Sequence, residues 1–517
     1  MSRALCRYSK RLCRTFQLSN LCQTRLISSH INAAELRFGQ PLHETHPHLL
    51  QAGEGRHHPY RREGNVPLTT YRPVTPGITA LEYAQRRTKL AAQLPANAIA
   101  VVAASDVVFR TGHVFYNFHQ DPDFFYLTGF NEPEALAVIG KASSNDDHVF
   151  YLYVREKDPK AEIWDGARSG TQAALDVFNA DETGDISNLK RFLTPLVEDA
   201  SHIYTDITSL PTPTSTFLEF LRGPSKPSPG FSELISTKKT KPLRPLLNDL
   251  RIQKSPSEIH NMRKAGQAAG RAFTSAMRHH FTRESHLDAF LAYQFRMNGC
   301  DRPAFEPVAA GGPNALSIHY VRNDSLLHAG NLVLADAGGE YAGYVSDITR
   351  TWPVDGKFTP PQRDLYDAVL TVQRSCIREC RADTHTSLEL LHQKAERELK
   401  DALRQLGFDM SGNAINVLFP HHLSHYLGLD LHDCIGYSKK AKLKAGHCLT
   451  VEPGVYVPSG DERFPRRFWG MGVRIEDSVC VLDGDGDADV GNGEGGVGPL
   501  VLTAEAVKEV EDIEALR

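Results

Sequence analysis

Four carboxylate side chains stand within or beside apolar, strand-like segments, and this placement constrains the fold more than any other feature of the sequence. Residues 331–353, NLVLADAGGEYAGYVSDITRTWP, contain an apolar strand that ends at Asp336, a turn at Gly338 and Gly339, and a second strand that carries Asp347. A hairpin-like return of the chain would place these two carboxylates side by side.

The other two acids lie further along the chain. Glu452 belongs to HCLTVEPGVYV, where an apolar strand is broken by Pro453, and Glu476 belongs to GMGVRIEDSVCVL. The alternation of the second segment predicts that Arg474 and Glu476 share one face of a strand, with Val473 and Ile475 on the other. Because a buried acid is costly unless it is paired or coordinated, four such acids indicate a common site.

A histidine cluster offers partners for these acids. The segment FPHHLSHYLGLDLHD, residues 419–433, contains His421, His422, His425 and His432. Adjacent histidines are common on solvated surfaces, so the cluster identifies a metal site only in combination with the carboxylates. His421 and His425 have the spacing of the HExxH zinc peptidases, but His422 replaces the glutamate which that mechanism requires.

Length and charge limit the class of protein. The chain has 517 residues, which predicts two or three domains, and a formal net charge of −4, which gives no support for nucleic-acid binding. No apolar run approaches the roughly 18 residues of a membrane-spanning helix, so we predict no transmembrane segment. The nine cysteines form no CxxC pair, which is typical of a reducing compartment.

The first 34 residues differ in composition from the rest. They carry six basic residues and no acid, and their apolar residues can form one side of an amphipathic helix. This composition is typical of a mitochondrial transit peptide. A further boundary is predicted just before Ser255, where Ser255, Pro256 and Glu258 have the pattern of a capping box that opens a helix. The predicted divisions are 1–34 (transit peptide), 35–77 (polar arm), 78–245 (first domain) and 246–517 (catalytic domain).

Together these motifs resemble the pita-bread metallopeptidases, the group of methionine aminopeptidase, prolidase and aminopeptidase P. The resemblance is carried by DAGGEYAGYVSDITRTWP, HHLSHYLGLDLHD, VEPGVY and GVRIED. In the amino-terminal half, DPDFFYLTGFNEPEA and AEIWDGARSG look like the first domain of aminopeptidase P, and FGQPLHETHPHLL is similar to its mitochondrial branch. The implied fold class is α/β with two domains: a creatinase/prolidase-like α/β domain followed by a pita-bread α+β catalytic domain.

The resemblance also implies a role for each site residue. Two divalent metal ions, for which the oxygen-rich ligands favour Mn²⁺, would be bridged by Asp347 and Glu476. One ion would also be held by Asp336, and the other by His425 and Glu452. Substrate would be bound by His319, His421 and His432, Arg474 would orient Glu476, and Trp164 would reach the pocket of a neighbouring subunit in a homo-oligomer. A family tyrosine is replaced by Phe305.

The predicted function is that of a dinuclear-metal aminopeptidase. It would remove a single amino-terminal residue from peptides, or from mitochondrial precursor intermediates after presequence cleavage, in the matrix or at the inner membrane. Its partners would be peptide or protein amino termini. The sequence leaves two alternatives open: an Xaa-Pro aminopeptidase or prolidase acting on proline-containing peptides, and an inactive pita-bread scaffold that binds proteins. An intact set of four acids argues against the scaffold, which has no need of them.

Overall fold

The computed structural model describes residues 73–112, 114–141, 148–207, 231, 235, 240–482 and 498–517, and the chain divides into two compact units, 1–244 and 245–517. The predicted transit peptide and most of the predicted polar arm lie outside the described residues. Within the described ranges, no helix has both the length and the apolar character needed to cross a membrane.

The first unit is built around one mixed sheet. Its six strands lie in the order β10-β9-β3-β6-β7-β8; β6 runs antiparallel to β3 and β7, whereas β9, β10 and β8 run parallel to their neighbours. The elements are β1 (Pro73–Thr75), β2 (Ile78–Thr79), α1 (Ala80–Gln93), β3 (Ile99–Ala103), β4 (Phe109–Thr111), β5 (Val114–Phe115), α2 (Pro122–Thr128), β6 (Leu136–Lys141), β7 (His148–Val154), α3 (Pro159–Asp165), α4 (Gly170–Asp176), β8 (Glu182–Asp185), α5 (Leu189–Asp199), β9 (Ile203–Tyr204) and β10 (Thr240–Lys241).

Local sequence explains several of these elements. Thr79 begins α1 as its N-cap, and its side chain accepts a hydrogen bond from the Glu82 amide. Strands β3 and β7 consist largely of apolar residues, and both are largely buried. Strands with apolar residues on both faces need cover on both sides, which is why they form the centre of the sheet.

The second unit contains four long helices and several short antiparallel sheets. Its elements, preceded by a helix at the boundary, are α6 (Arg244–Arg251), α7 (Pro256–Met277), α8 (Glu284–Met297), β11 (Arg302–Pro303), β12 (Val308–Gly311), β13 (Leu332–Ala337), β14 (Gly339–Tyr341), β15 (Tyr344–Val345), β16 (Ile348–Pro353), α9 (Pro360–Arg378), α10 (Leu388–Gln405), α11 (Ala414–Leu418), β17 (Cys448–Val451), β18 (Gly454–Tyr456), β19 (Gly472–Arg474), β20 (Asp477–Cys480), β21 (Leu500–Val501) and α12 (Val510–Ala515).

Helix α7 begins where the sequence predicts. The Ser255 side chain accepts from the Glu258 amide and the Glu258 carboxylate accepts from the Ser255 amide, which completes the capping box. Further along α7, a Cβ at Gly266 would lie 2.4 Å from the Leu502 carbonyl oxygen. Only glycine therefore allows the helix to approach the carboxy-terminal segment this closely.

Two predicted strands end earlier than expected. Strand β17 ends at Val451, so Glu452 follows the strand rather than lying in it. The alternating segment around Glu476 is two strands: β19 pairs with β18, β20 pairs with β17, and Ile475 and Glu476 form the break between them. The side chains of both Ile475 and Glu476 are buried at this change of partner.

Candidate metal centre

Asp336 and Asp347 are brought together by the pairing of β13 with β16. The two strands are antiparallel, with Asp336 opposite Thr349, and Asp347 stands immediately before β16. The turn between them needs glycine, because a Cβ at Gly338 would lie 1.7 Å from the Ser346 carbonyl oxygen. The Asp347 carboxylate is therefore held close to Asp336, which contributes to the electrostatic field that it experiences.

Glu452 and Glu476 arrive from a second antiparallel pair. Val451, the last residue of β17, lies opposite Asp477, the first residue of β20. Glu452 follows Val451 and Glu476 precedes Asp477, so both acids lie at the same end of the β17–β20 pair. A hydrogen bond of 3.0 Å from the Glu476 amide to the Thr349 carbonyl oxygen connects this end to β16.

His425 is oriented by the backbone on either side. Its amide nitrogen lies 3.2 Å from Thr450 Oγ1, and its carbonyl oxygen accepts from the Thr450 amide. Nδ1 donates to the Tyr426 carbonyl oxygen at 3.1 Å, which leaves Nε2 directed at the acids. Nε2 lies 3.3 Å from Asp347 Oδ2 and 3.7 Å from Glu452 Oε1.

Burial first, and the neighbouring carboxylates second, disfavour ionisation of these acids. Burial, and then the neighbouring Asp336, raise the pKa of Asp347 well above its ordinary value. Burial and Glu476 do the same for the pKa of Glu452, and burial and Asp347 for that of Glu476. A group of buried carboxylates with pKa values raised in this way stores unfavourable free energy that a multivalent cation relieves.

The donor set fits a divalent metal. One ligand atom each from Asp347, His425 and Glu476 lies within 4.8 Å of the others. Oδ1 of Asp336 is buried with no hydrogen-bond partner in the part of the chain that the structure describes. Carboxylate oxygens with one imidazole are donors that suit Mn²⁺, Zn²⁺ and similar divalent ions.

Arg474 is fully buried behind these acids and acts as their counter-charge. Its guanidinium donates to Asp336 Oδ2 at 2.5 Å and to Thr349 Oγ1 at 3.0 Å. Thr349 in turn donates to Glu476 Oε2 at 2.7 Å. In this structure Arg474 therefore pairs directly with Asp336 and reaches Glu476, the partner expected from the sequence, through the Thr349 hydroxyl.

His421 is engaged by protein groups at both ring nitrogens. Nδ1 donates to the His422 carbonyl oxygen at 3.0 Å, and Nε2 accepts from the Tyr456 hydroxyl at 3.0 Å. That hydroxyl accepts from Arg474 at 2.6 Å. Burial, followed by the charge of Arg474, lowers the pKa of His421 to about 3, so its imidazole is neutral. In this arrangement His421 has no N–H left to offer a substrate.

The other two predicted substrate-binding histidines are exposed. The His432 ring lies 4.4 Å from that of His425, centroid to centroid. Burial, His425 and His319 lower the pKa of His432, in that order, so His319 lies near enough to act on it. Trp164 belongs to α3 of the first unit and is 87% exposed.

His422 has a different environment from the histidines on either side. Its ring stacks on that of His392, with centroids 4.5 Å apart, and its Nδ1 lies 2.8 Å from the Ser424 carbonyl oxygen. These contacts hold the loop that carries His421 and His425. No acid of the metal centre contacts His422 among the described residues.

Tyr456 and Thr349 were missed by the sequence reasoning. Tyr456 connects Arg474 with His421, and Thr349 connects Arg474 with Glu476. Both lie inside motifs that were recognised, VEPGVY and DITRTWP. A hydroxyl forms no recognisable sequence pattern, because its role depends on its hydrogen-bond partners. For Thr349 these partners lie more than a hundred residues away along the chain.

Two family profiles match this chain. Residues 260–483 match metallopeptidase family M24, and residues 83–204 match the aminopeptidase P N-terminal domain. The chain belongs to metallopeptidase family M24. It is a metallo-aminopeptidase that binds divalent metal, and the predicted family, mitochondrial branch and two-domain fold class are confirmed.

Relatives that match nearly the whole chain indicate which M24 aminopeptidases this protein resembles. Intermediate cleaving peptidase 55 of Saccharomyces cerevisiae is 41% identical over 92% of this chain and 88% of its own length. The mitochondrial intermediate cleaving peptidase 55 of Arabidopsis thaliana is 36% identical over 92% of this chain and 87% of its own. Xaa-Pro aminopeptidase 3 of Rattus norvegicus is 35% identical over 92% of this chain and 90% of its own length.

Solved structures agree with these relatives. The crystal structure of the yeast intermediate cleaving peptidase without its first 58 residues has a TM-score of 0.76 and 40% identity. Zinc-substituted Escherichia coli aminopeptidase P in complex with product has a TM-score of 0.74 and 33% identity. Each comparison covers 85% of this chain and 98% of the other.

Proposed function

We propose that this enzyme removes one residue from the amino terminus of mitochondrial precursor intermediates after their presequences have been cleaved. The observation that carries the proposal is the convergence of Asp347, His425 and Glu476, with ligand atoms within 4.8 Å, in a chain that is 41% identical to a yeast intermediate cleaving peptidase. A basic, acid-free leader supports import into the organelle, with the matrix or the inner-membrane surface as the working site.

The proposed ligand set contains four carboxylates and one imidazole. Asp347 and Glu476 would contribute to holding both divalent ions, Asp336 would add to the binding of one, and His425 with Glu452 to that of the other. Four negative charges balance two divalent cations, and the hard oxygen donors favour Mn²⁺. When bound, two such ions supply Lewis acidity and a water of lowered pKa for peptide hydrolysis.

The chain's own groups orient the reactants. His319 and His432 are exposed, and the His432 ring lies beside that of His425. An imidazole N–H from either residue can donate to the substrate carbonyl and steady its developing negative charge. Arg474 orients Asp336 directly and Glu476 through Thr349. Tyr456 lies between Arg474 and His421, so we assign to His421 the role of holding this hydroxyl in place.

Proline specificity is a second candidate for the same site. Relatives named Xaa-Pro aminopeptidase 3 match at 35% identity, so the residue after the scissile bond needs a direct test.

We also propose 78–245 as the amino-terminal domain, 246–517 as the catalytic domain, and a homo-oligomer in which Trp164 serves a neighbouring subunit. The high exposure of Trp164 supports that last proposal.

The test compares amino termini in cells. Mitochondrial proteins from cells with the wild-type enzyme should begin one residue later than those from cells with only a Glu476→Ala copy. A His422→Ala copy is the matched control, because this histidine belongs to the same loop but not to the ligand set. Purified enzyme loaded with Mn²⁺ should then be offered presequence-derived peptides and Xaa-Pro peptides. Cleavage of Xaa-Pro peptides alone, with unchanged termini in cells, would favour the proline-directed reading.

A further inference from the structure

The Glu284 carboxylate accepts four hydrogen bonds from a single loop. Glu284 is the first residue of α8 and its side chain is fully buried. Oε1 accepts from the Gly311 amide and from Asn314 Nδ2, both at 2.8 Å. Oε2 accepts from the Tyr320 hydroxyl and from the Ser325 amide, also at 2.8 Å. All four donors belong to residues 311–325.

These bonds use the full hydrogen-bonding capacity of the carboxylate. An ionised carboxylate has about four lone-pair sites, and each of the four donors here is neutral. A buried charge without a cation is stabilised only if its hydrogen bonds are complete, so the loop must keep this shape for Glu284 to remain buried. Glu284 therefore ties the conformation of the loop to the position of α8.

The backbone strengthens the same junction. The Glu284 amide donates to the Ser325 carbonyl oxygen at 3.0 Å, and the Leu327 amide donates to Thr282 at 3.0 Å. Asn323 lies in the loop with φ of 47°, and its side chain bonds the Ala309 amide and the Pro307 carbonyl oxygen. The loop is thus fixed between the start of α8 and strand β12.

The loop carries His319 towards the metal centre. His319 precedes Tyr320, whose hydroxyl is bound by Glu284, and His319 acts electrostatically on His432. Strand β12, which leads into the loop, pairs with β13 so that Val308 lies opposite Asp336. The frame that orients His319 is therefore continuous with the strand that bears one of the proposed metal ligands.

We propose that Glu284 is a positioning residue, which fixes loop 311–325 so that the His319 imidazole meets the substrate. The inference rests on the proposed function, because it needs His319 to act on substrate. Glu284 lies in the protein interior and touches no reacting atom. Its contribution to the reaction passes through the conformation of the loop.

The first variant is Glu284→Gln. Each carboxylate oxygen faces a backbone N–H, from Gly311 or Ser325, so the amide –NH₂ must oppose one of them in either orientation. We expect kcat/KM to fall about 10- to 100-fold, in line with the cost of displacing a catalytic group by roughly 1 Å. Amide hydrogen exchange in 311–325 should also become faster, a readout independent of bound metal.

The matched control is Glu258→Gln. Glu258 is a buried glutamate of the same unit that holds the Ser255 amide and the Tyr344 hydroxyl, away from the loop. Its loss should lower stability while leaving exchange in 311–325 and kcat/KM near wild type. If Glu284→Gln fails to fold, Tyr320→Phe removes one of the four bonds and should show the same changes to a smaller extent.

A double-mutant cycle with His319→Ala separates positioning from general stability. If Glu284 acts through His319, adding Glu284→Gln to His319→Ala should cost little further kcat/KM, so the two effects are non-additive. Multiplicative losses, or unchanged loop exchange in Glu284→Gln, would overturn the inference while Glu476→Ala still reports on the proposed function. Wild-type kcat/KM in His319→Ala would also overturn it, by removing the group to be positioned.

Discussion

Replacing Asp433 by alanine should lower the free energy of unfolding of the second unit by about 3–5 kcal/mol, the usual cost of breaking a buried ion pair from one side. Asp433 Oδ1 accepts from Arg251 Nη2, and Oδ2 accepts from Lys254 Nζ at 2.9 Å. The side chains of Asp433 and Lys254 are each 1% exposed and that of Arg251 is 7% exposed. The substitution leaves two buried cations together without their shared anion.

Lys254→Met provides the graded comparison. It leaves Arg251 and Asp433 as a one-to-one pair, so the loss should be closer to that of one charged hydrogen bond, about 1.5–3 kcal/mol. Urea unfolding at pH 7 should be followed through Trp352 and Trp469, which both lie in the second unit. Asp461→Ala is the control, since Asp461 forms a partly exposed ion pair with Arg463 and should change little.

The choice of pH follows from the pKa of Asp433. Burial alone would raise this pKa, but Arg251 and Lys254 lower it below its ordinary value. A carboxyl with a lowered folded-state pKa stabilises the fold above its unfolded pKa, near 4, and loses that contribution as pH falls through the folded value. Two results at pH 7 would refute the reasoning. One is a fall in the free energy of unfolding of less than about 1 kcal/mol for Asp433→Ala, since ordinary surface substitutions change it by only about 0.5 kcal/mol. The other is a larger fall for Lys254→Met than for Asp433→Ala.

Three further outcomes are expected. Asp347→Ala and Glu476→Ala should each abolish activity and bound metal by elemental analysis, while His422→Ala keeps most of both; metal loss in His422→Ala alone would contradict the ligand assignment. Chelation should lower the melting temperature more at pH 8 than at pH 5.5, because the raised pKa values of Asp347, Glu452 and Glu476 mean that the metal-free fold loses stability as pH rises through them; an equal shift at both values would contradict this. Acetylation of a substrate's α-amino group should prevent cleavage in a mass-spectrometric assay, whereas cleavage of the acetylated peptide at an internal bond would refute an aminopeptidase.

Features that depend on neighbours in the sequence were predictable. The capping box at Ser255 involves residues three apart, and strands β3 and β7 are recognisable from their own apolar residues. The acids and histidines of the metal centre were identified because each is an unusual residue for its local context. Their motifs also carried the resemblance to a family whose membership the comparisons confirm.

The connections between those features were not predictable in the same way. Arg474 was expected to orient Glu476, but it bonds Asp336, 138 residues away, and reaches Glu476 through Thr349. His421 was expected to face substrate, yet both of its ring nitrogens are occupied by protein groups. The roles of these side chains depend on which strands pair, and local periodicity contains no information about that choice.

The sequence by itself determined where α7 begins, which residues are chemically unusual and to which family the chain belongs, because capping and motif spacing act within a few residues. Only the tertiary structure decided that the strand pairing changes partner at Glu476. It also decided that Glu284 accepts hydrogen bonds from loop 311–325 and that Asp433 pairs with two cations. A buried charge takes its partners from whichever segments the fold brings within about 3 Å, and hydrogen bonding and desolvation act over that distance without regard to separation along the chain.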